Sequence, residues 1–174
     1  MQKQLTPLTL LVVVALLLFL TLRVYNSVLA PQVLTVTVFS LGYDDENRAY
    51  LLQNQRRESL LIDTGSDAGI LRALGVTLPM WKRNIEAVLL TSNNAKSRGG
   101  FDALSERYTV GDVQYFGTPE RNFGTPLPYG TVLTFDTDTY IRVVAPQKVV
   151  VSYGNSSLSL SSTTPAGTYL LPES

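Results

Sequence analysis

The residues of this chain best suited to chemistry lie between Ala87 and Tyr108, in the stretch AVLLTSNNAKSRGGFDALSERY. Ala87-Val88-Leu89-Leu90 reads as a buried strand. It leads into a polar loop, Thr91 to Arg98, that closes on Gly99-Gly100 before a helical pattern. Strand, ligand-rich loop, paired glycine and helix, in that order, is how many metal ions are presented. Here the loop contains no His, Cys, Asp or Glu. Neutral hydroxyl and amide oxygens are poor zinc ligands. The expectation is a site with no metal, no cofactor and no catalytic residue.

Nucleophilic chemistry meets the same shortage. The hydroxyls of Thr64, Ser66 and Ser97 need an activating base, and the 174 residues include no histidine and no cysteine. Lys96 is the activator left, and its adjacency to Ser97 does not by itself supply a geometry. The acidic run Asp44-Asp45-Glu46 could hold a hard cation through oxygens alone. With no second acidic cluster, a solvated loop is expected there. Lys82-Arg83, or Lys96 with Arg98, could grip an anion. Glu86, Asp102 and Glu106 make ordinary surface charge the expectation instead. Fourteen basic and fourteen acidic residues balance to zero, so the basic excess of a nucleic-acid-binding domain is missing and nucleic acid is not an expected partner.

The elements that would position these groups form a β-rich order. VLTVTVF (Val33 to Phe39) is strand-like, and RAYLLQNQRRESLLID reads as two strands around a turn from Gln53 to Glu58. SDAGILRALG is a short helix with Ser66 as N-cap and Gly75 at its C-terminal end. EAVLLT is a strand, and GFDALSERY a helix with Phe101, Leu104 and Tyr108 on one face. DVQYF follows as a strand. Gly117 to Gly130 is a loop, and the remainder is a β-meander in which VSYGNSSLSL is a hairpin. Met80 and Trp81, after Pro79, are expected to pack between helix and strand.

The N-terminus has another character. Nineteen uncharged residues separate Lys3 from Arg23, and Leu8 to Leu22 are almost all Leu, Val, Ala and Phe. At about 1.5 Å per residue such a helix spans a hydrocarbon core, and Pro7 suits its first turn. The expected organisation is a short tail at 1–7, a transmembrane anchor with juxtamembrane linker at 8–30, and a domain at 31–174. Residues 8–22 would contact lipid. Val28-Leu29-Ala30 resembles a signal-peptide cleavage site, but the length of the apolar run and Pro31 favour an uncleaved, single-pass anchor. Lys3 and the amino terminus, set against Arg23, place the N-terminus in the cytoplasm and the domain outside it.

The pieces VLTVTVFSLGYDDENRAYLL, LLIDTGSDAGILRALG and LLTSNNAKSRGG, with their spacing, resemble the metallo-β-lactamase fold. Among its members they are most similar to the extracytoplasmic domain of bacterial ComEC-type competence proteins, which take up DNA. The resemblance covers residues 33–146. It implies an α+β fold: a shortened metallo-β-lactamase-like β-sandwich with flanking helices, preceded by one N-terminal transmembrane helix. Laid on the family's metal-binding motif, Ser92 and Asn94 stand at its first two ligands. Lys96 and Ser97 stand at its last Asp and His, and Ser40 stands where the first strand carries an Asp. Asp63, Thr91, Gly99 and Gly100 keep the framework, with Asp63 serving a local turn and the glycines supplying backbone freedom. The resemblance therefore implies a degenerate member, a pseudoenzyme. Its expected role is a non-catalytic accessory subunit with protein partners in a larger membrane assembly. The alternatives are a DNA-uptake module that binds nucleic acid, and a hydrolase with a non-standard site.

Overall fold

A computed structural model describes residues 7–28, 32–42, 47–118 and 126–173, with side chains given for residues 11–23 of the first segment. The chain divides into two compact units, Met1–Gln32 and Val33–Ser174.

The first unit is one helix, α1 (Pro7–Val28). Its described side chains are all exposed, among them Leu11, Leu16 and Phe19 at 58–67 %, so its apolar residues cover every side rather than one stripe. Thr21 satisfies its hydroxyl on the carbonyls of Leu17 and Leu18, and the Arg23 guanidinium lies over the Phe19 ring at 5.2 Å. Among the described residues no helix is long and apolar enough to cross a membrane. The fold thus gives the transmembrane segment expected at 8–30 no support. Leu29 and Ala30, at the suspected cleavage site, lie outside the described residues.

The second unit runs β1 (Val33–Ser40), β2 (Arg48–Gln53), β3 (Ser59–Ile62), α2 (Gly69–Thr77), β4 (Asn84–Leu90), α3 (Ala95–Arg98), α4 (Phe101–Arg107), β5 (Thr109–Tyr115), β6 (Val132–Thr134), β7 (Thr139–Ala145), β8 (Lys148–Tyr153), β9 (Ser156–Leu160) and β10 (Gly167–Pro172). Six strands form one sheet in the order β10-β1-β2-β3-β4-β5, and β6-β7-β8-β9 form a second. The pairs β3–β4 and β4–β5 are parallel; the rest are antiparallel. Parallel neighbours need a crossover, and α2 and the α3–α4 segment supply the two.

Period-two alternation assigns the side chains to two cores. Tyr50, Leu52, Leu60, Ile62 and Leu89 face the second sheet and meet Ile141, Val143, Val149 and Val151. Their chain neighbours Ala49, Leu51, Leu61, Val88 and Leu90 face the opposite way, onto Ile70, Leu74 and Leu104 of the helices. Strands covered on both faces read as unbroken apolar runs, which is why SLLI and AVLL carry no polar alternation. The result is a mixed α+β domain of two sheets with helices on one side. Phe101, Leu104 and Tyr108 belong to the helix-side core, as their spacing predicts.

Two local expectations are corrected. Helix α2 begins at Gly69 rather than after Ser66, because the Ser66 hydroxyl accepts a hydrogen bond from Asn47 Nδ2 (2.8 Å) and Asp67 Oδ1 accepts the Gly69 N–H (2.7 Å). Gly75 lies inside this helix and does not end it; Leu78 is the C-cap. A Cβ added at Gly75 meets nothing within 4 Å. Gly75→Ala should therefore stabilise the chain by about 0.5–1 kcal/mol through helix propensity and unfolded-state entropy, read as a higher urea midpoint with an unchanged slope.

Candidate functional site

The parallel pair β3–β4 ends with Ile62 beside Leu89. The Asp63 N–H still donates to the Leu89 carbonyl (2.8 Å), after which Asp63 turns the chain with a left-handed φ of 58°. Its carboxylate is wholly buried. Oδ1 accepts the backbone N–H of Thr91 at 2.7 Å, and Oδ2 accepts the Thr91 hydroxyl at 2.7 Å. Thr91 Oγ1 in turn accepts the backbone N–H of Gln147 at 2.9 Å and lies 3.2 Å from Ser97 Oγ. Ser92 donates to Ser97 Oγ at 2.9 Å. The Ser97 carbonyl receives both the N–H (2.8 Å) and the hydroxyl (3.1 Å) of Thr64. Tyr129 donates to the Thr91 carbonyl at 3.1 Å and stacks on Phe116 with ring centroids 5.7 Å apart.

The loop predicted as irregular between Thr91 and Arg98 contains the one-turn helix α3. Asn94 caps it, its Oδ1 accepting the Ser97 N–H at 2.9 Å. That cap holds Ser97 inward, at zero exposure, while Asn94 remains on the surface. Lys96 is half-buried, and Arg98 donates to Asn93 Oδ1 at 3.0 Å.

The expectation that Gly99 and Gly100 supply backbone freedom is corrected. Their φ values are −56° and −85°, which any residue adopts. What they supply is room. A Cβ at Gly99 would lie 2.2 Å from the Ser66 carbonyl oxygen, and one at Gly100 would lie 2.4 Å from that of Thr64 and 2.5 Å from that of Asp67. The Gly100 N–H donates to the Gly65 carbonyl at 2.9 Å. The glycine pair is the surface on which the 64–67 turn rests.

Electrostatics follow from this burial. Asp63 is pushed up to about 7 by burial, against the opposing pull of the Thr91 N–H, the Thr91 hydroxyl and the Ser97 hydroxyl. Burial and then the Asp63 charge raise Tyr129. The same two causes raise Tyr50, with Arg48 opposing. The Tyr50 hydroxyl and Gln147 Nε2 are buried without a hydrogen-bond partner among the described residues.

Chemically this is a chain of hydroxyls ending on one carboxylate, Ser92–Ser97–Thr91–Asp63. A carboxylate near neutrality has the proton affinity of a general base, but Thr91, Ser97 and Asp63 are fully buried and Ser92 is 6 % exposed. Ser, Asn and Lys do not fit a zinc ion. Among the described residues no group of three or more His, Cys, Asp and Glu could hold a metal. Asp44, Asp45 and Glu46 lie outside the described residues. Thr64 and Ser66 spend their hydroxyls on Ser97 and Asn47, not on Lys96. Lys82 is bound to Glu86 at 2.8 Å. Met80 and Trp81 are not packed as expected but are 84 % and 79 % exposed. Gln147 and Tyr129 were missed; the Asn94-x-x-Ser97 spacing of a cap is a signal that could have found α3.

No family model and no curated protein sequence matches the chain. Similar solved structures include a metallo-β-lactamase from Hirschia baltica, at 19 % identity over 70 % of this chain and 63 % of that one, with a TM-score of 0.41. Another from Pontibacter korlensis shows 17 % identity over 70 % and 63 %, with a TM-score of 0.39. A third is the structure titled as a peroxy diiron species of chemotaxis sensor ODP, at 11 % identity over 67 % and 54 %, with a TM-score of 0.46. The chain thus spans between 54 % and 63 % of the length of these structures.

Proposed function

We propose that this chain is a membrane-anchored, non-catalytic interaction subunit, a pared-down metallo-β-lactamase-type scaffold whose ligand loop has become a structural clasp. One observation carries the reading. Ser97, at the position of the family's last ligand, turns its hydroxyl onto Thr91 and Ser92 and its carbonyl onto Thr64. The loop's polar groups are consumed in joining the exit of β3, the exit of β4 and the β7–β8 turn at Gln147. A satisfied buried network rigidifies a fold; it presents no group to a substrate. The anchored reading draws on the sequence alone, on the apolar run at residues 8–22 and on the charges of Lys3 and Arg23, which favour a domain outside the cytoplasm; among the described residues no helix is long and apolar enough to cross a membrane.

The test is purification of the tagged full chain in mild detergent, followed by identification of co-isolating proteins and measurement of bound metal after incubation with zinc. A stoichiometric membrane-protein partner and no retained zinc is the expected result. One zinc per chain would end the pseudoenzyme reading, and a solitary monomer would end the subunit reading.

A further inference from the structure

Helix α2 and the end of β1 border a groove with a volume of about 850 Å³, lined by Phe39 and Leu41 from the strand and by Leu71, Ala73 and Val76 from the helix. Gly42, which also lines it, leads into residues 43–46, outside the described residues. The chain just past α2 is the reverse of a groove. Met80 and Trp81 stand out at 84 % and 79 % exposure, and with Val76 at 85 % they are the most exposed large apolar side chains among the described residues. Charges bracket the helix. Exposed Asp67 precedes it, exposed Arg83 follows it, and exposed Arg72 lies in the groove lining. Lys82 and Glu86, near Arg83, pair with each other at 2.8 Å.

These features are ordered evenly about Val76: Arg72 stands four residues before it and Met80 four residues after it. A two-fold contact needs this order, with a feature and its complement at equal distance on either side of the axis. Two copies of α2 laid antiparallel across Val76 bring Met80 and Trp81 of each toward the groove of the other. There the indole ring meets the Arg72 guanidinium as a cation–π pair, and Arg83 of one copy meets Asp67 of the other. A parallel pairing would instead set Asp67 against Asp67 and Arg83 against Arg83, which repel. The described lining carries one carboxylate, Asp67, and one guanidinium, Arg72, so it favours an apolar knob over a ligand of net charge. Trp, Met and Arg are also the residues enriched where proteins meet. We propose that the α2 face is the interface of a homodimer, with Met80 and Trp81 of each copy seated in the groove of the other beside Arg72, and Arg83 paired with Asp67. The pairing uses the second unit alone and is independent of the anchored reading of α1.

The chain has no cysteine and one tryptophan, so an introduced thiol and the Trp81 emission both report on the interface. The full chain is purified in mild detergent. With Val76→Cys, the two introduced thiols should meet at the axis and, oxidised by copper phenanthroline with loss of two protons and two electrons, form a disulfide-linked dimer. Ser157→Cys, exposed on β9, should stay unlinked. In the wild-type chain the Trp81 emission should be blue-shifted at high concentration and move to the red on dilution. Asp67→Arg and Arg83→Asp should each weaken dimerisation about tenfold, because the two-fold applies each change twice, and the two together should restore it. A wild-type chain that is monomeric at every concentration overturns the proposal. Dimers that persist in the double variant Met80→Ser, Trp81→Ser, and link as readily through Ser157→Cys, overturn this face as the interface. Shielding of Trp81 only when a different protein co-isolates overturns the second copy in favour of that protein.

Discussion

Gly100→Ala should cost about 3 kcal/mol, large for a single methyl group on a residue with ordinary φ, because overpacking against backbone cannot relax by moving a side chain. The added Cβ would meet the carbonyl oxygens of Thr64 and Asp67 at 2.4 and 2.5 Å and Ile70 Cγ2 at 3.0 Å. Relief requires the 64–67 turn to lift. That breaks the bond from Gly100 N–H to Gly65 O and strains the bond from Thr64 N–H to Ser97 O, which close the clasp. Gly99→Ala, with its Cβ 2.2 Å from the Ser66 oxygen, should behave alike. The measurement is a denaturant titration of the full chain, paired with hydrogen exchange at the Thr64 and Gly100 amides. Loss of protection there ahead of the core strands is the signature of a lifted turn. Wild-type stability in both variants would mean that the two loops do not meet as described.

Asp63→Asn should remove a pH dependence of stability that the native chain carries through one buried carboxyl. The Asp63 carboxyl rises from 3.8 to about 7 on folding, so the folded state holds its proton more tightly than the unfolded state. Stability from this group is therefore fully present below about pH 4, declines as pH rises, and is lost above about pH 7. Linkage across that interval sets an upper bound of about 4 kcal/mol. Asparagine keeps an oxygen for the Thr91 N–H and offers an amide donor to Thr91 Oγ1, whose own proton can then turn to Ser97. The two proteins should be similarly stable at pH 4 and separate toward pH 8, with the Asp63→Asn variant the more stable. Subtracting the curves cancels the other titrating groups, including Asp136, whose carboxyl lies below its usual range: burial opposes that shift, and hydrogen bonds from Thr139, Asn54 and the Asp138 backbone outweigh it. Parallel curves would show that Asp63 does not titrate in this range.

What could be read from the chain alone divides along physical lines. The apolar runs SLLI and AVLL announce strands buried on both faces, since covering both sides removes the polar positions an edge or surface strand keeps. The hairpin through Gly154 is equally plain. The start of α2 was misplaced because Ser66 has a choice between capping a helix and binding Asn47, nineteen residues earlier, and nothing local decides it. Asp63, Thr91 and the glycine pair were identifiable as framework, but their roles were not. The glycines are needed for a close approach, which exists only once the 64–67 turn is folded over them. Gln147 and Tyr129 reach Thr91 across 56 and 38 residues, a pairing that no spacing within one segment encodes. Met80 and Trp81 show the converse limit, since hydrophobicity states a preference for burial but not whether the fold provides a place.

The edge of the large sheet has a consequence for synthesis. β1, the first strand of the domain, has β2 on one side and β10, the last, on the other, with Thr37 opposite Thr168 and Leu34 opposite Leu171. A ribosome therefore releases β1 long before its second neighbour exists. Until β10 emerges, VLTVTVF presents an open, β-branched edge of the kind that recruits other chains. Folding of this domain can finish only after β10 has left the ribosome, and deleting β10 should produce aggregation rather than a smaller folded protein.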